Sequence, residues 1–147
     1  MKIENERLSL TISAYAAEMH SLIDKYDSKE ILWQGDPAFW AGRNPILFPI
    51  IGSTFDKKIH LFDRTYEMGN HGFARHSEFE FTAATSDSIS LRLKDSEATM
   101  SQYPFHFELD VKYTLIENKV MIDYEIINHD EKAMPFSLGL HPAFALD

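Results

Sequence analysis

The sequence predicts an all-β protein built as an antiparallel β-sandwich, and three observations carry that expectation. From Phe105 to Leu115 the residues Phe105, Phe107, Leu109, Val111, Tyr113 and Leu115 alternate with His106, Glu108, Asp110, Lys112 and Thr114. This is the period-two pattern of a strand with one buried face. After a turn at Glu117-Asn118-Lys119, Val120, Ile122, Tyr124 and Ile126 alternate with Met121, Asp123, Glu125 and Ile127, the partner strand of a long hairpin. No segment of ten or more residues shows a helical period, and turn signals recur at short intervals.

In chain order, Asn5 to Ile12 reads as a strand, with Leu8, Leu10 and Ile12 set against polar neighbours. Ala14 to Leu22 reads as a second strand, although its Ala and Met residues also tolerate a helical turn. Tyr26 to Glu30 is a polar turn, and Ile31-Leu32-Trp33-Gln34 a strand closing that hairpin. Gly35-Asp36-Pro37 breaks it, and Ala38-Phe39-Trp40-Ala41 suits a single helical turn. Pro45 and Pro49 argue against both helix and central strand over Gly42 to Ile51. That stretch is expected to be an ordered loop packed by Ile46, Leu47 and Phe48. Thr54 to Tyr66 is expected to form a hairpin about Asp56-Lys57-Lys58. Asn70 to Arg75 reads as a strand continuing into Glu78 to Thr82, and Ser88 to Leu93 as a half-buried strand. Asp95 to Tyr103 is a polar connection, and Asn128 to Ala133 turns the chain before Met134 to Leu140. No fixed-period repeat and no linker divides the chain.

One domain of 147 residues is long enough for a hydrophobic core. A net charge of −9 without a basic cluster argues against nucleic-acid phosphates and anionic membranes as partners. Cysteine is absent, which excludes disulfides and thiolate metal sites and suits a reducing compartment. The first residues lack the apolar core of a signal peptide, and the longest apolar run, Pro45 to Ile51, is too short to span a bilayer. A cytoplasmic location is the expectation.

The chemistry concentrates in Asn70-His71-Gly72-Phe73-Ala74-Arg75. Read as a strand, it places His71, Phe73 and Arg75 on one face and the small Gly72 and Ala74 on the other. A proton-transfer group, an apolar plate and a forked cation would then share a surface that another strand can approach closely. Gly42-Arg43-Asn44-Pro45 and Gly139-Leu140-His141-Pro142 are the other two polar sites set beside conformationally special residues. Two histidines can flank one substrate as acid and base, and Arg43 and Arg75 suit oxygen-rich ligands. Trp33, Phe39, Trp40, Phe73 and Phe144 offer plates on which a sugar ring could stack. Other chemistries lack their motifs. His71 and His76 point to opposite faces of a strand, no His-Glu-x-x-His is present, the six glycines form no phosphate loop, and there is no Gly-x-Ser-x-Gly elbow.

These motifs resemble the aldose 1-epimerase (galactose mutarotase-like) family. The resemblance rests on Asn44-Pro45-Ile46-Leu47-Phe48-Pro49, on Asn70 to Arg75, and on Pro135-Phe136-Ser137-Leu138-Gly139-Leu140-His141-Pro142-Ala143-Phe144, in the family's order. It implies a large antiparallel β-sandwich that interconverts the α and β anomers of a free aldose without a cofactor or metal. Ring opening needs a proton delivered to the ring oxygen while another leaves the anomeric hydroxyl. By this resemblance His141 is the acid, His71 binds and polarises the ring-oxygen region, and Arg43 hydrogen-bonds sugar hydroxyls. Asn70 and Arg75 belong to the binding motif, Arg75 with an equally good structural reading.

The family's general base is a glutamate well downstream of the His-Pro motif, and this sequence has no counterpart to it before Asp147. Residues 1–147 are therefore expected to be the N-terminal part of a single mutarotase-like domain, weak or inactive alone. Such a half is expected to associate with a copy of itself or with the missing C-terminal half. The second expectation is a non-catalytic carbohydrate-binding or assembly module. A hexose-6-phosphate 1-epimerase is a variant of the first, disfavoured because Asn44 to Pro49 brings no further cation for a phosphate.

Overall fold

The computed structural model describes residues 1–146. The chain begins with a four-stranded antiparallel meander: β1 Lys2–Glu4, β2 Leu8–Ile12, β3 Met19–Asp24 and β4 Lys29–Glu30, adjacent in that order. Asn5 shapes the first turn, its Oδ1 accepting the N–H groups of Arg7 (2.9 Å) and Leu8 (2.7 Å). The strand expected from Ala14 starts only at Met19, because Ala16 and Ala17 both take left-handed backbone (φ 60° and 48°) and reverse the chain. The strand expected over Ile31 to Gln34 reduces to one bridge between Leu32 and Phe144, and the pairing with β3 falls earlier, at β4 within the expected polar turn. The Glu30 carboxylate takes over the pairing there, accepting from the N–H groups of Leu22 (2.8 Å) and Leu32 (3.0 Å).

A short β5, Ile46–Leu47, lies within the expected ordered loop, and Ile46, Leu47 and Phe48 are all buried. The next hairpin is β6 Lys58–Leu61 with β7 Arg64–Glu67, and its turn falls at Phe62-Asp63 rather than at Asp56-Lys57-Lys58. Phe62 supplies the left-handed residue of that turn (φ 56°).

Asn70 to Arg75 is not a strand. His71 and Gly72 are left-handed in succession (φ 63° and 72°), and a 3₁₀ turn follows at Ala74–His76. Strand alternation therefore does not apply, and Phe73 faces the interior instead of a binding surface.

The second four-stranded antiparallel sheet contains β8 Glu80–Ala84, β9 Ser88–Lys94, β10 Phe107–Ile116 and β11 Lys119–Asn128. Its spatial order is β11-β10-β9-β8. A four-residue helix α1, Glu97–Met100, interrupts the connection before β10, closed by reciprocal Ser96–Thr99 side-chain bonds. The long hairpin forms with the expected apolar faces together, Val111 opposite Tyr124 and Tyr113 opposite Ile122. Phe107, Leu109, Val111, Tyr113 and Leu115 are buried. The inward residues of β11, an edge strand, are only half-buried. The last strand, β12 Gly139–Leu140, pairs with β5.

Leu8, Leu10 and Ile12 of the first sheet and Leu91, Leu109 and Val111 of the second belong to one apolar core. Phe48 plugs it, its ring within 5.4–6.1 Å of those of Phe73, Tyr103, Phe107 and Phe136. Antiparallel sheets sharing one core match the fold class expected from the sequence. Among the described residues, no helix is long and apolar enough to cross a membrane.

Candidate active site

Three distant segments meet on β5. On one side, Gly139 pairs with Leu47 and Leu140 with Ile46, which places the His141-Pro142 segment beside this strand. On the other side, the Phe48 carbonyl accepts the N–H groups of Phe73 (3.0 Å) and Ala74 (3.2 Å), and Gly72 forms a parallel bridge to Phe48. Arg43 and Asn44 lead directly into β5, and the Arg43 carbonyl accepts the N–H of Ala143 at 2.9 Å. Gly72 is required at this junction, since a Cβ there would lie 2.2 Å from the Phe48 carbonyl oxygen.

The left-handed backbone of His71 closes a two-bond ring with Gly52. The His71 N–H donates to the Gly52 carbonyl (2.7 Å), and the Gly52 N–H donates to His71 Nδ1 (2.8 Å). Because Nδ1 accepts, the neutral ring carries its proton on Nε2. Burial lowers the pKa of His71, and the charges of Arg75 and His141 lower it further. His71 is thus arranged as a neutral donor near neutral pH.

His141 is exposed, and its ring stands edge-on to Trp40 with centroids 5.0 Å apart. Trp40 is fixed in turn, its carbonyl accepting from Trp33 Nε1 at 2.8 Å and its N–H donating to the Asp36 carbonyl at 2.8 Å. The turn expected over Ala38 to Ala41 therefore supplies the side chain that backs His141. Arg43 donates from a guanidinium nitrogen to the Gln34 carbonyl (2.7 Å).

His71 feels the charges of Arg75 and His141, while Arg43 meets the His141 segment through its main chain, at the Arg43–Ala143 bond, with its guanidinium at Gln34 and Gly35. Asn70 is exposed in the turn next to His71. Two of the expected aromatic plates lie elsewhere. Phe73 is in the core, and Phe144 lines an apolar recess of about 240 Å³ with Leu140, Pro142, Tyr113, Ile122 and Tyr124. Phe39 is 82 % exposed and meets Trp33 edge-on at 6.3 Å.

Sequence reasoning missed Glu18, Gln34 and Gly52, which hold Arg43 and His71. Their contacts are side-chain-to-backbone bonds across 9 to 25 residues, for which no local pattern exists. These segments offer a neutral imidazole donor, a solvent-exposed imidazole and the Arg75 guanidinium, with Arg43 on the adjoining chain. That set suits proton transfer on a small oxygen-rich molecule.

Comparison with known proteins gives a consistent result. The family model described as aldose 1-epimerase matches residues 1–147. The chromosomal Protein LacX of Lactococcus lactis subsp. lactis is 36 % identical over 150 residues, covering 98 % of this chain and 50 % of LacX. A galactose mutarotase related enzyme from Lactobacillus acidophilus superposes with a TM-score of 0.97 at 37 % identity, over 99 % of this chain and 49 % of that one. A galactose mutarotase-like protein from Lactobacillus casei gives a TM-score of 0.97 at 36 % identity, over 100 % and 50 % of the two chains. The chain thus spans about half the length of the relatives it matches. With the whole of its length matched by the family model, the chain belongs to the aldose 1-epimerase family.

Proposed function

We propose that this chain is the N-terminal part of a mutarotase-type sandwich, acting in the cytoplasm, that binds a free aldose and protonates its ring oxygen. His141 is the acid in this reading. Neutral His71 donates from Nε2 to the ring-oxygen region, and Arg43, Asn70 and Arg75 bind hydroxyls. The observation that carries it is the meeting on β5 of the His141 segment, the His71 turn and Arg43, which the sequence holds far apart. The general base comes, by the family resemblance, from the half of the relatives that this chain does not span. The half-buried inward residues of β11 would meet a second copy of the chain or that other half.

A second reading, a carbohydrate-binding module without catalysis, is favoured by Glu18. It is a buried carboxylate next to Arg43, but one oxygen takes two backbone N–H groups and the other faces His20, so it offers no free base.

Saturation-transfer NMR with D-glucose, D-galactose and their 6-phosphates tests binding, with transfer expected from the free aldoses. Absence of transfer from every sugar would sink both readings. Polarimetry on fresh α-D-glucose tests catalysis and is expected to show little acceleration, because positioned proton transfer contributes about 10²–10⁴-fold and one partner is missing. Strong acceleration that disappears in His141→Ala would place the base within these 147 residues.

A further inference from the structure

Glu18 is 7 % exposed, and the hydrogen bonds of its carboxylate lead to the segment that carries Arg43. Its Oε1 accepts the backbone N–H of Arg43 at 2.7 Å and that of Asn44 at 2.8 Å, while Oε2 stands 3.7 Å from His20 Nε2. The neighbouring residues extend the clamp. Asn44 Oδ1 accepts the Met19 N–H at 2.8 Å, and Asn44 Nδ2 donates to the Met19 carbonyl at 2.5 Å. At the far end of the side chain, the guanidinium bonds to the Gln34 carbonyl and lies over Gly35, where a Cβ would come within 2.9 Å of Arg43 Cζ.

We propose that Glu18 is a positioning residue for Arg43, holding the main chain at the root of the side chain so that the guanidinium meets a sugar in one orientation. This rests on the sugar-site reading above. A neutral acceptor would satisfy the same two N–H groups, so the buried charge needs its own account. The Arg43 charge acts on this same site: together with burial it lowers the pKa of His20, whose Nε2 stands 3.7 Å from Glu18 Oε2.

The test uses the whole chain and D-galactose as probe, read by saturation-transfer titration. Glu18→Ala is expected to weaken binding about tenfold, the scale of one charge-assisted contact. Glu18→Gln, which keeps a carbonyl for both N–H groups, is expected to recover part of that loss. In an Arg43→Ala background, Glu18→Ala should have no further effect. Unchanged affinity in Glu18→Ala, or the same tenfold loss on top of Arg43→Ala, would overturn the proposal, the latter because it would mark general destabilisation. Should Glu18→Ala not fold, or should the unmodified chain bind neither D-galactose nor D-glucose, ¹⁵N relaxation of the Arg43 Nε–Hε group in the unmodified chain and Glu18→Gln decides. The second circumstance would defeat the sugar reading alone. A group rigid in the unmodified chain and mobile in Glu18→Gln supports positioning by Glu18. Equal mobility in both overturns it.

Discussion

Replacing Gly72 by alanine isolates the junction on which the candidate site depends. The new Cβ would stand 2.2 Å from the Phe48 carbonyl oxygen, 2.5 Å from its carbon and 2.7 Å from Pro49 Cδ. None of these is the end of a flexible side chain, and the Phe48 ring is held among four other aromatic rings, so relief requires the backbone to move. A left-handed conformation (φ +72° here) costs a non-glycine residue about 1–2 kcal/mol. Overpacking adds about 1–3 kcal/mol, for a total of about 2–5 kcal/mol. With a urea dependence of about 2 kcal/mol per molar, the unfolding midpoint should fall by about 1–2.5 M at unchanged slope. Two other glycines separate the contributions. Gly52 is also left-handed (φ +79°) but has nothing within 4 Å of a built Cβ, so Gly52→Ala should lose only the conformational part, about 1–2 kcal/mol. Gly69 has open space and no positive φ, and Gly69→Ala should be within about 0.5 kcal/mol of the parent. If Gly72→Ala unfolds at the same urea concentration as Gly52→Ala, the close approach to Phe48 is not a constraint and the reasoning fails.

Tyr113 is buried and donates to the Ala17 carbonyl at 2.7 Å, so Tyr113→Phe should orphan that acceptor and cost about 1–2 kcal/mol in urea unfolding. His71 and His106 should titrate on opposite sides of 6.5 when followed by imidazole NMR, because burial lowers the first and Asp95 raises the second. The signs for stability are then opposite. The contribution of His71 is complete above 6.5 and lost as pH falls through its folded value, whereas that of His106 is complete below 6.5 and lost as pH rises through its folded value. Urea midpoints of His71→Ala and His106→Ala across pH 5–8.5 check this, and the same slope change in both would contradict it. Sedimentation at micromolar concentration should give a dimer or larger species, since β11 is an edge strand with its inward residues half-buried. A clean monomer would show that this face needs no partner.

What the sequence disclosed follows from the range of the forces involved. β9, β10 and β11 were legible because each buries one face against its neighbours, and alternation records that burial residue by residue. The same rule misread Asn70 to Arg75. His71, Phe73 and Arg75 mimic alternation, yet two left-handed residues turn the chain, and only the carbonyl of Phe48 explains why a glycine stands at position 72. Asp56-Lys57 does turn the chain, with Lys57 left-handed (φ 57°) and its N–H donating to the Thr54 carbonyl at 3.2 Å, but this turn leads into the β6–β7 hairpin, which closes at Phe62-Asp63. The motifs for His71, His141 and Arg43 could be named from the sequence. The residues that hold them could not, because Glu18, Gln34 and Gly52 act through side-chain-to-backbone bonds with distant positions.

The two-residue strand β5 also bears on the order in which the molecule assembles. The β10–β11 hairpin closes over two residues and can form from local contacts alone. By contrast, β5 joins Ile46 to Leu140, so its pairing must close a loop of most of the chain, with the turn at Gly72 docked against the next residue, Phe48. Loop-closure entropy sets such contacts late relative to a hairpin. The candidate site is consequently a property of the finished tertiary structure, with no partial form in an isolated hairpin or in either four-stranded sheet. The Gly52–His71 bond and the Trp40–His141 contact then serve as natural reporters of complete folding. In a pulse-labelled refolding experiment, the protection of the Gly52 amide should mark the moment at which the molecule acquires a site at all.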